Sequence, residues 1–248
     1  MKVIVCGICG KMGQNLLELL SADGATVCGV DIGASGNIGV PVYGSFEEIT
    51  QTADVIIDFS SPAVLKSELG WAVKHGTPVV LATTGYSVEQ LEYIDGCAKK
   101  IPVFKTANFS LGINLLVKLV KKAAEALGES FDIEIIEKHH NKKADAPSGT
   151  ALMLAEGANS AFENKKEFLN GRSGIAGKRG NEIGIHAVRG GTIVGEHEVL
   201  FAGEDEIITL SHSARSKKVF AAGAIKAAKW LIGKPAGKYD MTDILENL

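Results

Sequence analysis

Along the first hundred residues, short runs of β-branched and other apolar residues alternate with longer stretches of helical apolar spacing. The runs are KVIVC, TVCGV, DVIIDFS, TPVVLAT and IPVFKT, and the helical stretches fall at 12–21, with Leu16, Leu17, Leu19 and Leu20, at 61–75 and at 87–99. This alternation predicts a parallel sheet with helices on both faces, and strands that are apolar throughout fit burial on both sides. A long helix is expected near 110–127. The pattern then changes to FDIEIIEKHH, a helix from about 148, a Gly- and Lys-rich stretch at 171–181, and the segments IGIHAVRGG, TIVGEHEVLFAG and EIITLSHSA. Short Gly or Gly-Glu-Asp connections predict that these last three are antiparallel neighbours. The stretch 216–232 predicts a helix returning to the first domain. The expected fold class is α/β: a Rossmann-like parallel-sheet domain, 1–110 with 217–248, and a second α+β domain with a mixed or antiparallel sheet, 111–216. No internal repeat or low-complexity tract is present.

Composition narrows the function classes. The 248 residues are 46% hydrophobic with 29 Gly and 6 Pro, which fits an ordinary globular enzyme rather than a disordered chain. Basic and acidic residues number 26 and 29, net charge -3, with no long run of one sign, so an electrostatic nucleic-acid binder is a poor fit and any anion must be held locally. The start MKVIVCG is too short for a signal-peptide core, and no window approaches the roughly 20 apolar residues of a membrane span. Cys6, Cys9, Cys28 and Cys97 then read as reduced thiols in a cytoplasmic protein.

VCGICGKMGQ, residues 5–14, spells both C-x-x-C and G-x-x-G-x-x-G. The thiol reading needs a low-pKa cysteine at a helix start or a second C-x-x-C to complete a zinc site; no second pair exists, Cys28 and Cys97 stand apart, and small apolar residues at a strand end are the simpler account. Cys6 is expected to pack and Cys9 to line the loop, and no metal site is expected. The glycine reading needs a preceding strand, a following helix and an acidic residue about 20 positions on. All three are present, with Asp31 closing TVCGVD 18 positions after Gly13. Gly7 permits the tight turn, and the later glycines let backbone N–H groups and a helix N-terminus approach a pyrophosphate. LATTGY (81–86) and KTANFSLG (105–112) end apolar strands on the same side and should face a nicotinamide. The candidate cofactor-binding residues are therefore Gly7, Ile8, Cys9, Gly10, Lys11, Met12, Asp31, Ala82, Thr83, Thr84, Thr106, Ala107, Asn108 and Phe109.

EKHHNKKADAPSGTA, residues 137–151, gathers His139, His140, Lys142, Lys143 and Asp145 beside PSGT. Ser148 is a natural N-cap, which turns the N–H groups of Gly149 and Thr150 outward at a helix N-terminus, an anion site reinforced by the neighbouring cations. The alternatives are a metal at the His pair, disfavoured because strand neighbours point to opposite faces, and a basic connecting loop. His75, His186, His197 and His212 sit singly and read as structural.

These segments resemble the 4-hydroxy-tetrahydrodipicolinate reductase (dihydrodipicolinate reductase) family over nearly the whole chain. GICGKMG, DFS, ATTG, ANFSLGIN, EIIEKHHNKKADAPSGTA, AVRGGTIVGEHEVLFAGEDE and HSARSKKVFAAGA fall in the family's order. The resemblance implies hydride transfer from NAD(P)H to C4 of a cyclic unsaturated imine dicarboxylate, after loss of water from the 4-hydroxy form, in lysine and diaminopimelate biosynthesis. It implies His139 in acid/base catalysis, Lys143 as proton donor, His140, Gly149 and Thr150 on the substrate carboxylates, and a homotetramer built through the second domain's sheet. Where relatives often carry Arg after the acidic residue, Ile32 stands here, and IGASGNIGVPVYG (32–44) holds no base. NADH is therefore the expected cofactor, with Lys11 able to reach a 2'-phosphate and NADPH possible. Ser216-Lys217 stands where relatives often have Ser-Arg, and Lys217, a candidate substrate contact, keeps the charge without the bidentate fork. The rival readings are another two-domain nicotinamide-dependent amino-acid dehydrogenase and a non-catalytic dinucleotide-sensing module.

Overall fold

The computed structural model describes residues 1–33 and 38–246; residues 34–37 of the base-free segment and the last two of the stretch 217–248 lie outside the described residues. The chain runs β1 (Lys2–Cys6), α1 (Lys11–Ala22), β2 (Thr26–Val30), β3 (Val42–Tyr43), β4 (Val55–Asp58), α2 (Leu65–His75), β5 (Val79–Leu81), α3 (Val88–Ala98), β6 (Pro102–Lys105) and α4 (Leu111–Leu127). It continues through β7 (Asp132–His139), α5 (Gly149–Asn159), β8 (Glu167–Asn170), β9 (Glu182–Arg189), β10 (Gly195–Ala202), β11 (Ile207–Ala214), α6 (Lys218–Leu231), β12 (Gly237–Tyr239) and α7 (Met241–Glu246). The chain folds into two compact units, Met1–Ser110 with Lys217–Leu248, and Leu111–Ser216. Among the described residues no helix is long and apolar enough to cross a membrane.

The first unit holds a seven-stranded sheet in the order β12-β6-β5-β4-β1-β2-β3, parallel at every pairing. Its central strands are buried along their length, as the uninterrupted apolar runs require: Val3, Ile4, Val5, Val55, Ile56, Ile57, Val79, Val80 and Val103 all lie in the core. The strands after β1 are laid down first on one side and then on the other, so Cys6 is in register with Val30 of β2 and with Asp58 of β4. The carboxyl ends at this reversal form the crevice in which open α/β sheets bind ligands. Ser87 starts α3 with a capping box, its hydroxyl accepting the Gln90 N–H while Gln90 accepts the Ser87 N–H. Helix α6 lies against α1 and over β4, β5 and β6, burying Ala221, Gly223, Ala224, Ala227 and Ala228. Its small residues allow close approach, and Gly223 meets the backbone of Phe109 so tightly that a Cβ would collide with the carbonyl oxygen.

The second unit holds a five-stranded sheet, β11-β10-β7-β9-β8. Strand β10 is antiparallel to β11 and β7, whereas β9 is parallel to β7 and β8, so the sheet is mixed. The antiparallel neighbourhood expected for the three late segments holds for β10 and β11 and fails for β9 and β10, because β7 lies between them. The five residues 190–194 that join β9 to β10 span roughly 16 Å when extended, enough to cross one intervening strand at two spacings of roughly 4.8 Å. A short glycine linker therefore does not by itself establish pairing. Burial alternates along β7 and β10. Ile133, Ile135, Ile183, Ile185, Val199 and Phe201 pack under α4 and α5. Strands β3, β8 and β12 are not expected from the sequence; they are two to four residues long and at most partly buried, so they leave little apolar pattern.

Replacing Gly223 by Ala would ordinarily favour a helix by about 1 kcal/mol. Here the collision with Phe109 reverses the sign, and G223A is expected to destabilise the protein by about 1–3 kcal/mol in urea unfolding. A stabilised variant would show that the two backbones are not in close contact.

Candidate active site

In the first unit, β1 delivers the chain into the glycine loop. Gly7 adopts φ +77°, and a side chain there would strike the Phe59 carbonyl. Gly13, buried in the first turn of α1, lets the helix lie directly on the backbone of Gly7 and Ile8. Gly10 starts α1 without a side-chain cap, and its N–H donates to the Gly7 carbonyl (3.1 Å), so the helix N-terminus faces outward. Asp31 is tied into the same loop: Oδ2 accepts the Cys9 N–H (2.9 Å) and Oδ1 accepts the Gly33 N–H (2.9 Å).

A cleft of about 440 Å³ opens here, lined by Gly7, Gly10, Asp31, Ile32, Ser45, Phe59 and Ser60 among others. Glycines without side chains, an outward helix N-terminus and a carboxylate at the second strand fit an adenosine diphosphate moiety. Ile8 is fully buried and offers a ligand only its backbone, whereas Cys9, Lys11 and Met12 reach the surface to differing degrees. Of the loops after β5 and β6, Thr83 is buried and its Oγ1 accepts the Ser60 N–H (2.9 Å), which joins that loop to the cleft wall. Ala82, Thr84, Thr106, Ala107 and Asn108 follow the same strand ends but do not line the cleft. Thr106 donates to the Asn108 carbonyl, Asn108 accepts the Ser110 N–H, and Phe109 packs against Phe59 and Phe104 with ring centroids 6.0 Å apart in each case. Ser45, Phe59 and Ser60 carry no pattern in sequence that marks them as cleft residues; the sheet order brings them there.

In the second unit, the end of β7 carries Glu137 and His139 on one face, two residues apart. Glu137 is completely buried, and its carboxylate accepts from His139 Nδ1 (2.5 Å), Arg189 Nη1 and Nη2 (2.8 Å each) and the Ser148 N–H (3.0 Å). Burial alone would raise the Glu137 carboxyl, but the Arg189 guanidinium, with His139 and Ser148, outweighs it and holds the group below the usual carboxylate range. An ionised Glu137 accepts the hydrogen bond of the His139 Nδ1–H, leaving Nε2 to exchange a proton. Gly195 lies beside that nitrogen, and a Cβ there would sit 3.0 Å from Nε2.

The following loop brings the other candidates close in the chain. Lys143 pairs with Asp145 (2.9 Å), whose carbonyl accepts Arg189 Nη2 (2.6 Å). Ser148 caps α5, its hydroxyl accepting the Ala151 N–H (3.2 Å), so Gly149 and Thr150 form the first turn. His140 keeps a buried Nδ1 without a hydrogen-bond partner. Lys217, exposed immediately before α6, belongs to the first unit.

The expectation that His197 stands alone is not met. Its ring lies 5.1 Å from that of His139, and Nε2 is 3.2 Å from the Ser148 hydroxyl. Burial, then the charge of His139, lowers its pKa from 6.5 to about 4, so it is neutral near pH 7. Glu137, Arg189 and His197 are thus absent from the residues chosen by sequence. The spacing Glu-x-His on one strand face would have marked Glu137, whereas Arg189 reaches it only because β9 pairs with β7 in a register that sets Arg189 beside His139.

Residues 1–109 match the family described as dihydrodipicolinate reductase, N-terminus, and residues 112–245 match dihydrodipicolinate reductase, C-terminus. The 4-hydroxy-tetrahydrodipicolinate reductase of Caldanaerobacter subterraneus is 50% identical, over 99% of this chain and 98% of that protein. The enzyme of the same name from Clostridium novyi is 47% identical over the same shares. Among solved structures, a dipicolinate-bound dihydrodipicolinate reductase from Paenisporosarcina sp. TG-14 superimposes with a TM-score of 0.79 at 26% identity, covering 97% of each chain. A probable dehydrogenase from Thermotoga maritima, 14% identical with a TM-score of 0.61 and covering 98% and 92% of the two chains, shares the fold alone. With matches across both units and half the aligned residues identical to a relative covered over 98% of its length, the chain belongs to the dihydrodipicolinate reductase family.

Proposed function

We infer that this protein is the nicotinamide-dependent reductase that converts 4-hydroxy-tetrahydrodipicolinate, with loss of water, to tetrahydrodipicolinate in lysine and diaminopimelate biosynthesis. The observation that carries the reading is the buried carboxylate of Glu137, which holds His139 in one tautomer, binds the Ser148 N–H at the start of α5, and is linked to Lys143 through Arg189 and Asp145. A bound NAD(P)H supplies the hydride; the protein supplies orientation and charge. Negative charge arriving at a conjugated imine spreads toward nitrogen and an adjacent carbon, where a positioned acid can quench it. We assign Lys143 as the proton donor and His139, through Nε2, as the acid/base partner. Glu137 and Arg189 are positioning residues that act through His139. The α5 N-terminus at Gly149 and Thr150, with His140, suits the substrate carboxylates, and Lys217 is a further candidate contact. The two rival readings, an amino-acid dehydrogenase and a sensor without catalysis, account less well for this constellation.

The cofactor groups are assigned to Gly7, Gly10, Lys11, Met12 and Asp31, to the backbone of Ile8 and Cys9, and to the loops Ala82–Thr84 and Thr106–Phe109. Asp31 has its two oxygens oriented by backbone N–H groups and keeps lone pairs for ribose hydroxyls, while its charge opposes a 2'-phosphate. NADH is therefore the proposed preference. The face of the second sheet turned away from α4 and α5 exposes Leu169, Val188 and Ile207 among polar residues such as Lys138 and Glu196, and we assign this face to the proposed homotetramer. Free thiols and a biosynthetic role fit a cytoplasmic enzyme.

In an assay coupled to the synthase that makes the unstable substrate, K143A is expected to lower kcat by about 10²–10⁴-fold and leave NADH affinity nearly unchanged. A variant that loses cofactor affinity but keeps kcat would remove Lys143 from its assigned role. Steady-state kinetics with both cofactors should give a higher kcat/KM for NADH, with Asp31→Ala narrowing the gap; a clear advantage for NADPH in the unaltered enzyme would defeat the assignment. His197 also predicts an acid sensitivity. Between pH 6.5 and about 4 the unfolded chain binds a proton that folded His197 refuses, so stability rises with pH across that window. The difference amounts to about 3 kcal/mol at most. Urea unfolding across the window should show a shallower slope for His197→Gln; an unchanged slope would mean that His197 is not the group refusing the proton.

A further inference from the structure

Beneath the glycine loop lies a second chemical cluster that the reductase reading does not use. Cys6 ends β1, Asp58 ends β4 beside it in register, and Glu68 comes from α2, which covers that face of the sheet. All three are buried to within 1% of complete, and one donor atom from each, a sulfur and two carboxylate oxygens, lie within 4.8 Å of one another. Asp58 is fixed by its neighbours: Oδ1 accepts the Ser60 N–H (2.9 Å) and the Ser60 hydroxyl, and Oδ2 accepts the Tyr86 hydroxyl (3.3 Å). Cys6 Sγ donates to the Ser60 hydroxyl (3.4 Å). Glu68 differs. Both of its carboxylate oxygens are buried without any hydrogen-bond partner, and among the described residues no basic side chain pairs with it.

An unpartnered buried carboxyl is costly even when neutral, and a second acid and a thiol beside it make the arrangement worse. Three buried acidic donors thus crowd one space, and two of their carboxylate oxygens have no donor to meet them. A divalent cation reverses each of these penalties. We propose that Cys6, Asp58 and Glu68 form a binding site for a divalent transition metal, with zinc(II) best suited to one thiolate and two carboxylates. Ligand atoms of a tetrahedral zinc stand roughly 3.5 Å apart, so small side-chain rotations close the set. Ser60 and Tyr86 orient the Asp58 ligand from behind. Cys6 and Ser60 also line the cleft, which gives the ion a path and leaves a fourth position for water. Binding balances as one M²⁺ taken up and one proton released from the Cys6 thiol and from each ligand carboxyl that carries one. The C-x-x-C is therefore divided: Cys6 turns inward as a ligand, while Cys9 stays in the loop.

The test uses the full-length protein, stripped with a chelator and titrated with Co²⁺ and Zn²⁺. One equivalent of Co²⁺ should bind and produce thiolate-to-cobalt charge-transfer absorption, displaced by Zn²⁺. Cys6→Ser should abolish that absorption. Glu68→Gln, which is isosteric and neutral, should weaken uptake by at least about tenfold, a loss that even a residue behind a ligand can cause, and should remove the metal-induced rise in Tm. Folding of E68Q is checked by circular dichroism, and the titration of the unaltered protein decides the matter independently of either variant. No stoichiometric uptake by that protein, uptake that survives both substitutions, or a charge-transfer band that moves with Cys9, Cys28 or Cys97 would overturn the proposal, leaving Glu68 as a carboxyl that keeps its proton.

Discussion

The second unit depends on keeping the buried carboxylate of Glu137 ionised. A charge without solvent access is tolerated only when donors surround it, and here they come from three directions: His139 on the same strand, Arg189 on β9 and the Ser148 N–H before α5. Satisfying one residue therefore fixes the pairing of β7 with β9, the seat of α5 and the orientation of the histidine assigned to proton transfer. Removing one partner would leave the others with an uncompensated charge, so the group behaves as a unit rather than as separable contacts.

The first unit solves a different problem with backbone instead of charge. Gly7 and Gly13 let strand, loop and helix approach to distances that any side chain would forbid, and Asp31 is held against the loop by the Cys9 N–H. The result is a cleft whose walls are N–H groups, small residues and one carboxylate. The same compactness sets Cys6 beside Asp58 and close to Glu68, so the strand end that opens the glycine loop also borders a buried acidic cluster.

Much of this is legible in the chain because it is local. Apolar runs mark the long strands, three- to four-residue spacing marks the helices, and the glycines with Asp31 mark the loop proposed for the dinucleotide. His139, Lys143, Ser148 and Gly149 stand out because they are neighbours in the chain. The short edge strands β3, β8 and β12 do not, since two to four partly exposed residues bury too little to leave a pattern. The order of β9 and β10 departs from expectation because the linker between them is compatible both with a hairpin and with a crossing over β7.

By itself, then, the sequence determined the longer elements, the parallel sheet with its glycine turn, and the family to which the segment 137–151 points. Periodicity and turn chemistry are written in adjacent residues. Only the tertiary structure decided that Arg189 clamps Glu137, that His197 stands against His139, and that Glu68 meets Cys6 and Asp58. Most of those partners lie far apart along the chain. What joins them is strand register and helix packing, and neither is encoded in the spacing of any one segment.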